Sequence, residues 1–324
     1  MRTIRRLAIA AAIGFAPVAI SNAGMAEDYP SQDILWIAPS SAGSGFDVVA
    51  RIVAPKMSEI LGQPVVIENI AGAGATVGAA KAAEADPDGY TILLISINHA
   101  AAEALYKSLS YHLLTDFDPV VRFTTSYHVI VVKKDLEVAT LADLVAKAKA
   151  SPNELNIASA GVGSATFMCG ELFKSAAGIE MTHIPYEGGG PAMASIVAGE
   201  TDVYASPYDT AKPFIESGEI KALAVTAKER LASAPDLPAA AETVPGFEFV
   251  SYYGLVVPKG TPPEIREKIR AAAIEAVADP KVGKQLTDLG FVLVDQGPEE
   301  FTDFLEEQIA AAKAAVEQAG IEPK

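Results

Sequence analysis

Two short stretches of this 324-residue chain carry the residue types that hold an anion. Ile37-Ala38-Pro39-Ser40-Ser41-Ala42-Gly43-Ser44-Gly45 and Ile157-Ala158-Ser159-Ala160-Gly161-Val162-Gly163-Ser164 read alike. Each follows an apolar run and precedes a segment with helical periodicity, which begins at Phe46-Asp47 in the first and continues through Ala165 and Phe167 in the second. A strand feeding a small-residue loop into a helix presents backbone N–H groups and the positive end of a helix dipole. Small residues let a ligand approach that backbone closely. One such loop is an ordinary connection. Two predict a cleft that clamps an anion from both sides.

Two further pairs stand where α/β clefts bind ligands, just past the ends of expected strands. Asn98-His99 follows the strand at 91–95, and Tyr208-Asp209 follows the strand at 202–205. Asp209 suits either acceptance from a ligand donor or the capping of a helix. Other chemistries find less support. Gly72-Ala73-Gly74-Ala75-Thr76-Val77-Gly78 is one residue longer than the dinucleotide fingerprint, and the next strand ends in Ile95-Ser96 without a ribose-binding acid. It reads as glycine packing a helix on a sheet. No phosphate-binding P-loop sequence occurs, and His99, His112, His128 and His183 have no metal-ligand spacing. Except for His99, these histidines read as structural or surface residues. Gly161-Val162-Gly163-Ser164-Ala165 is not a nucleophile elbow. Cys169, the single cysteine, lies on an apolar helix face and reads as a buried, inert thiol. No metal and no cofactor is expected.

The elements that must position these residues alternate. Strands are expected at 34–37, 65–68, 91–95, 129–133, 156–158, 181–184, 202–205, 223–226 and 291–294. Helices are expected at 47–61, 72–83, 141–150, 164–177, 263–278, 280–289 and 298–319, with Gly62 and Gly178 as stops and a kink at Pro55. Pro191 suits the start of another helix. Continuous apolar strands alternating with helices indicate an α/β fold with mostly parallel sheets. From 117 to 133 the chain continues as apolar strand with no linker, as a strand crossing between two domains would, and 247–257 suits the return. Two crossings predict lobe 1 at 27–124 plus 253–324, lobe 2 at 125–252, and C-terminal helices packed back on lobe 1.

The first 26 residues read as an export signal: Arg2, Arg5 and Arg6 precede a short, Gly14- and Pro17-broken apolar run, with cleavage after Ala23 or Ala26. The full chain carries 25 basic and 41 acidic side chains, a formal charge of −16. Removing the three leader arginines leaves 22 basic against 41 acidic residues, about −19, which disfavours nucleic acid and anionic lipid. Anion affinity must then come from local donors, since salt screens the overall field over about 8–10 Å.

Several segments, in order along the mature chain, resemble the tripartite tricarboxylate transporter substrate-binding proteins, the Bug family. They are Tyr29-Pro30-Ser31, the Pro39 to Asp47 loop, Leu61-Gly62-Gln63-Pro64-Val65-Val66-Ile67-Glu68-Asn69, Asp86-Pro87-Asp88-Gly89-Tyr90, Gly170-Glu171-Leu172-Phe173, His183-Ile184-Pro185-Tyr186, Ala222-Leu223-Ala224-Val225-Thr226 and Ala319-Gly320-Ile321. The resemblance implies a two-lobed periplasmic-binding-protein fold, type II-like, with the ligand cleft between the lobes. It implies a monomeric periplasmic receptor, not an enzyme, that closes on a small carboxylate and delivers it to a permease of one large and one small membrane subunit. By the same resemblance the carboxylate is held by the two loops, at Ser40, Ser41, Ala42, Gly43, Ser44 and Gly45 and at Ser159, Ala160, Gly161, Gly163, Ser164 and Ala165. The family commonly has Gly-Gly-Thr-Asp where Ser44-Gly45-Phe46-Asp47 stands, and often His where Phe167 stands. These departures place specificity beside the loops, at Phe46, His99, Phe167 and Tyr208. The competing readings are a secreted α/β hydrolase or lyase using an Asp or His of the same cleft, and a sensor protein without a transport role.

Overall fold

Trp36 and Ile37, both fully buried, sit in the first of three parallel strands on which one half of the molecule is built. The computed structural model describes residues 29–231, 233–318 and 320–323; the leader expected over 1–26 lies outside them. β1 (Ile34–Ala38) leads into α1 (Gly45–Leu61), which runs through Pro55 and is stopped by Gly62 in the left-handed conformation. β2 (Val65–Asn69), α2 (Thr76–Ala83), β3 (Thr91–Ile95) and α3 (Ile97–Leu105) complete this unit. The strand order is β2-β1-β3, all parallel.

β4 (Phe117–Lys133) then runs for 17 residues, nearly all of them buried. A second unit of the same kind follows: α4 (Leu141–Ala150), β5 (Asn156–Ser159), α5 (Ala165–Ala177), β6 (Thr182–Pro185), α6 (Gly189–Val197), β7 (Val203–Pro207) and α7 (Tyr208–Glu216). Its parallel order is β6-β5-β7. β8 (Ile220–Val225) and β9 (Val250–Pro258) come next, then α8 (Pro263–Ala278), α9 (Pro280–Asp288), β10 (Val292–Gln296) and α10 (Pro298–Gln318).

β4 joins the two sheets. Its first part pairs antiparallel with β9 and β10, and its last part pairs antiparallel with β7 and β8. β9 continues the first sheet by pairing with β3. Parallel order therefore holds for the three strands per sheet that carry the loops, while the crossing strands make each sheet mixed. Thr226 ties the crossing together: its hydroxyl accepts from the His128 N–H at 2.9 Å and donates to the Phe249 carbonyl at 2.9 Å.

α8 and α9 pack against α1. α10 lies along α3 of the first unit and also touches α5 of the second. Its buried face, Phe301, Leu305, Ile309, Ala312 and Val316, shares one core with Ala100 and Ala104 of α3 and Phe173 of α5. Among the described residues no helix is long and apolar enough to cross a membrane.

Gly78 on α2 is a packing glycine, as the sequence suggests. A Cβ there would lie 2.7 Å from Pro39 Cβ and 2.8 Å from Pro39 Cα, with the Ile70 carbonyl at 3.0 Å. Backbone cannot yield as a side chain can, so Gly78→Ala is expected to cost about 1–3 kcal/mol, read as a lower midpoint in urea.

Candidate functional site

The two small-residue loops have the same local geometry. Ser44 N–H donates to the Ser41 carbonyl at 3.2 Å, and Ser164 N–H donates to the Gly161 carbonyl at 3.1 Å. The third residue of each turn is a glycine at positive φ, +80° at Gly43 and +88° at Gly163. The fourth is a serine N-cap with φ −74° in both, ψ 166° at Ser44 and 159° at Ser164. Their hydroxyls accept from Asp47 N–H and Phe167 N–H, at 3.4 and 3.2 Å. That leaves the first-turn N–H groups of Gly45 and Phe46 in one loop, and of Ala165 and Thr166 in the other, beyond the reach of the helical ladder. The two loops also carry the positive ends of α1 and α5.

The braces behind the loops differ. Asp47 accepts from Gly43 N–H at 2.8 Å and Arg51 Nε at 2.9 Å. The Arg51 hydrogen bond holds its carboxyl below the usual range. In the second loop Thr166 Oγ1 accepts from Ala160 N–H at 2.8 Å, and Ser159 Oγ accepts from Gly161 N–H at 3.1 Å. Ser159 Oγ also lies 2.7 Å from His183 Nε2.

Between the loops lies a cavity of about 580 Å³. Ser40, Ser44, Gly45, Phe46 and Asn98 line it from the first unit, and Ala160, Gly163, Ser164, Ala165 and Asp209 from the second. Ser41, Ala42 and Gly43 form an exposed loop tip outside the lining, while Ser159 and Gly161 shape the second loop without lining the cavity.

Four residues expected at the site lie behind it instead. Asp47 is buried as the brace just described. His99 is fully buried: its Nδ1 accepts from Ser96 N–H at 3.2 Å, capping α3, and burial pushes its pKa down to about 4. Phe167 is buried with its ring 4.8 Å from that of His183. Tyr208 is covered by Gly290, where a Cβ would lie 2.9 Å from Tyr208 Cδ1. Of the four positions singled out for specificity, Phe46 alone lines the cavity, since helix capping and core packing claim the others.

The cavity also has walls that sequence reasoning missed. Ala73 and Gly74, from the loop read as packing glycine, line it, so that loop does more than pack α2. Tyr106 Oη donates to the Ala73 carbonyl at 3.3 Å and helps hold this wall. The crossing strands supply Ser126, His128, Ser251 and Tyr253, and β7 supplies Tyr204. His128 was expected to be structural or at the surface. It lines the cavity with neither ring nitrogen hydrogen-bonded, and burial pushes its pKa down to about 3, so the ring is neutral. The apolar-run pattern of β4 hid it.

A profile of the "Tripartite tricarboxylate transporter family receptor" matches residues 49–321. The chain belongs to this family. It is 41% identical over 271 residues, 83% of this chain and 78% of the relative, to a UPF0065 protein from the TAR-I ttuE-ttuC' intergenic region of Agrobacterium vitis. Two similar solved structures come from Rhodopseudomonas palustris. Rpa4515 with adipate is 31% identical with a TM-score of 0.83, covering 92% of this chain and 100% of that one. MatC with bound malate is 32% identical with a TM-score of 0.79, covering 89% and 100%. Both structures share the α/β fold described here.

Proposed function

We propose that this protein is an extracytoplasmic solute-binding receptor that closes two lobes on a small carboxylate and hands it to the large and small membrane subunits of a tripartite tricarboxylate-type transporter. One observation carries the reading: two loops of matching geometry, one from each sheet, line a single cavity. Adipate and malate in the related structures are carboxylates of the size such a site takes. The lobes divide at the crossings, 27–124 plus 253–324 and 125–252, and the mature protein begins after a cleaved leader.

Local donors suffice for the affinity. A charge-assisted hydrogen bond contributes about 1.5–3 kcal/mol net, and a helix N-terminus adds about 0.3–1 kcal/mol. Four or five such bonds gross roughly 6–15 kcal/mol. Closure and ligand ordering offset part of this, so micromolar binding, about −8 kcal/mol, needs no arginine clamp. Closure shifts the open–closed population, so a permease distinguishes loaded from empty receptor by shape.

Native mass spectrometry of the purified protein, followed by calorimetry against mono-, di- and tricarboxylates, tests the proposal. One carboxylate bound per chain and recovered unchanged is expected. Turnover would favour the hydrolase or lyase reading, and absence of binding across the panel would refute the receptor reading.

A further inference from the structure

The cavity walls carry no lysine or arginine among the described residues, yet they carry a carboxylate, Asp209. Asp209 stands in the first turn of α7, on the second unit's side of the cavity. Burial raises its pKa, and its negative charge adds to the effect of burial in raising the phenols of Tyr204 and Tyr253. Phe46, Tyr253 and Phe291 line the same cavity as an aromatic wall with edge-to-face contacts, ring centroids 5.2 and 5.8 Å apart. Neutral His128 brings no compensating charge to the same cavity.

A ligand bearing only carboxylates would add negative charge beside Asp209 with no cationic side chain to offset it. Carboxylate and ammonium on one ligand remove the conflict: the anion goes to the loop N–H groups and the cation to Asp209. Aromatic faces attract the same cation through their ring quadrupoles. His128 and Tyr204 line the same cavity as neutral side chains, so neither supplies a cation in place of the ligand's own.

We infer that the cavity selects a small carboxylate that also carries a cationic nitrogen, with Asp209 as the residue that reads the nitrogen. This deepens the receptor reading and rests on it. Asp209 also serves its helix, where Thr210 Oγ1 lies 3.5 Å from Oδ1, so stability alone does not measure its role.

Matched pairs that differ only in the amino group separate the two roles: L-leucine against isocaproate, L-phenylalanine against hydrocinnamate, and γ-aminobutyrate against butyrate. In calorimetry on the unmodified mature protein, the amino member of at least one pair is expected to bind about tenfold or more tighter. Asp209→Asn, which keeps the shape but not the charge, is expected to erase that difference. A purely structural Asp209 would lower the thermal midpoint and leave the preference within each pair unchanged, overturning the inference. Equal or tighter binding of the des-amino partners by the unmodified protein overturns it without any variant. Binding of malate or adipate in place of every amino acid would overturn it too, while leaving the carboxylate receptor standing. Silence toward all of these carboxylates would remove the receptor reading itself.

Discussion

Gly163→Val is expected to weaken ligand binding about a hundredfold while leaving the fold intact. Gly163 holds φ +88°, a conformation a β-branched residue adopts only under strain of about 1–3 kcal/mol. An added Cβ would also lie 2.8 Å from Leu105 Cδ1, the flexible end of a side chain on α3, so that neighbour must shift to admit the larger valine. Both penalties fall on the arrangement in which the two loops face each other. With no ligand bound, the variant loop relaxes to an unstrained conformation, so its penalty is expressed when binding demands the original one. Apparent affinity falls with the fraction of binding-competent loop. About 3 kcal/mol corresponds to roughly two factors of ten. Gly43→Val adds positive-φ strain at +80° but meets nothing within 4 Å, so its effect should be smaller, near tenfold. Calorimetry with the ligand that co-purifies checks both, with thermal midpoints alongside. An unchanged dissociation constant in Gly163→Val would show that the second loop does not hold the ligand.

That contrast marks how far the sequence reaches into the site. The loops are legible because their chemistry is local: glycine for positive φ, serine for the cap, and a strand and helix with clear periodicity on either side. The strands and most helices were legible for the same reason, with α4 and α8 matching the expected spans. α3 was not. It has only nine residues and follows β3 after a single residue, so it is shorter than the window over which a helical period declares itself. Without α3, His99 looked like a free ligand group at a strand end. With α3 in place it is the capping partner of Ser96. The reverse error arose on β4, where His128 lies within an apolar run and is brought to the cavity only because this strand crosses from one sheet to the other. Periodicity identifies a strand, but which face meets a cavity depends on long-range pairing, here with β7, β8 and β9.

Arg122→Ala is expected to destabilise the protein strongly for a single change at a polar residue outside the loops. Arg122 sits on β4 just before the crossing and is only 7% exposed. Its Nε donates to Gln296 Oε1 of β10 at 2.7 Å, and an NH group donates to Thr125 Oγ1 at 2.9 Å. The guanidinium lies 3.9 Å above the Phe304 ring of α10. No carboxylate lies within salt-bridge distance among the described residues, so neutral acceptors and an aromatic face solvate this cation. Burial accordingly pushes its pKa down, though an arginine remains charged at any working pH. Truncation would strip Gln296 of its donor, remove the cation–π contact and leave a void beneath α10. Lost hydrogen bonds with a stranded acceptor cost about 1–3 kcal/mol, and the ring contact with its packing adds about 1–2 kcal/mol. A total near 3–4 kcal/mol predicts a thermal midpoint lower by roughly 10 °C. Arg122→Lys keeps the charge but not the planar fork, so it should recover less than half of the loss. Because α10 contacts both units, its loosening should also bear on the proposed lobe closure. The variant should show weaker ligand binding even where it remains folded, checked by calorimetry well below its midpoint. Full affinity in a destabilised Arg122→Ala would separate the hinge from the clamp, and place the control of closure on β4 and β9 alone.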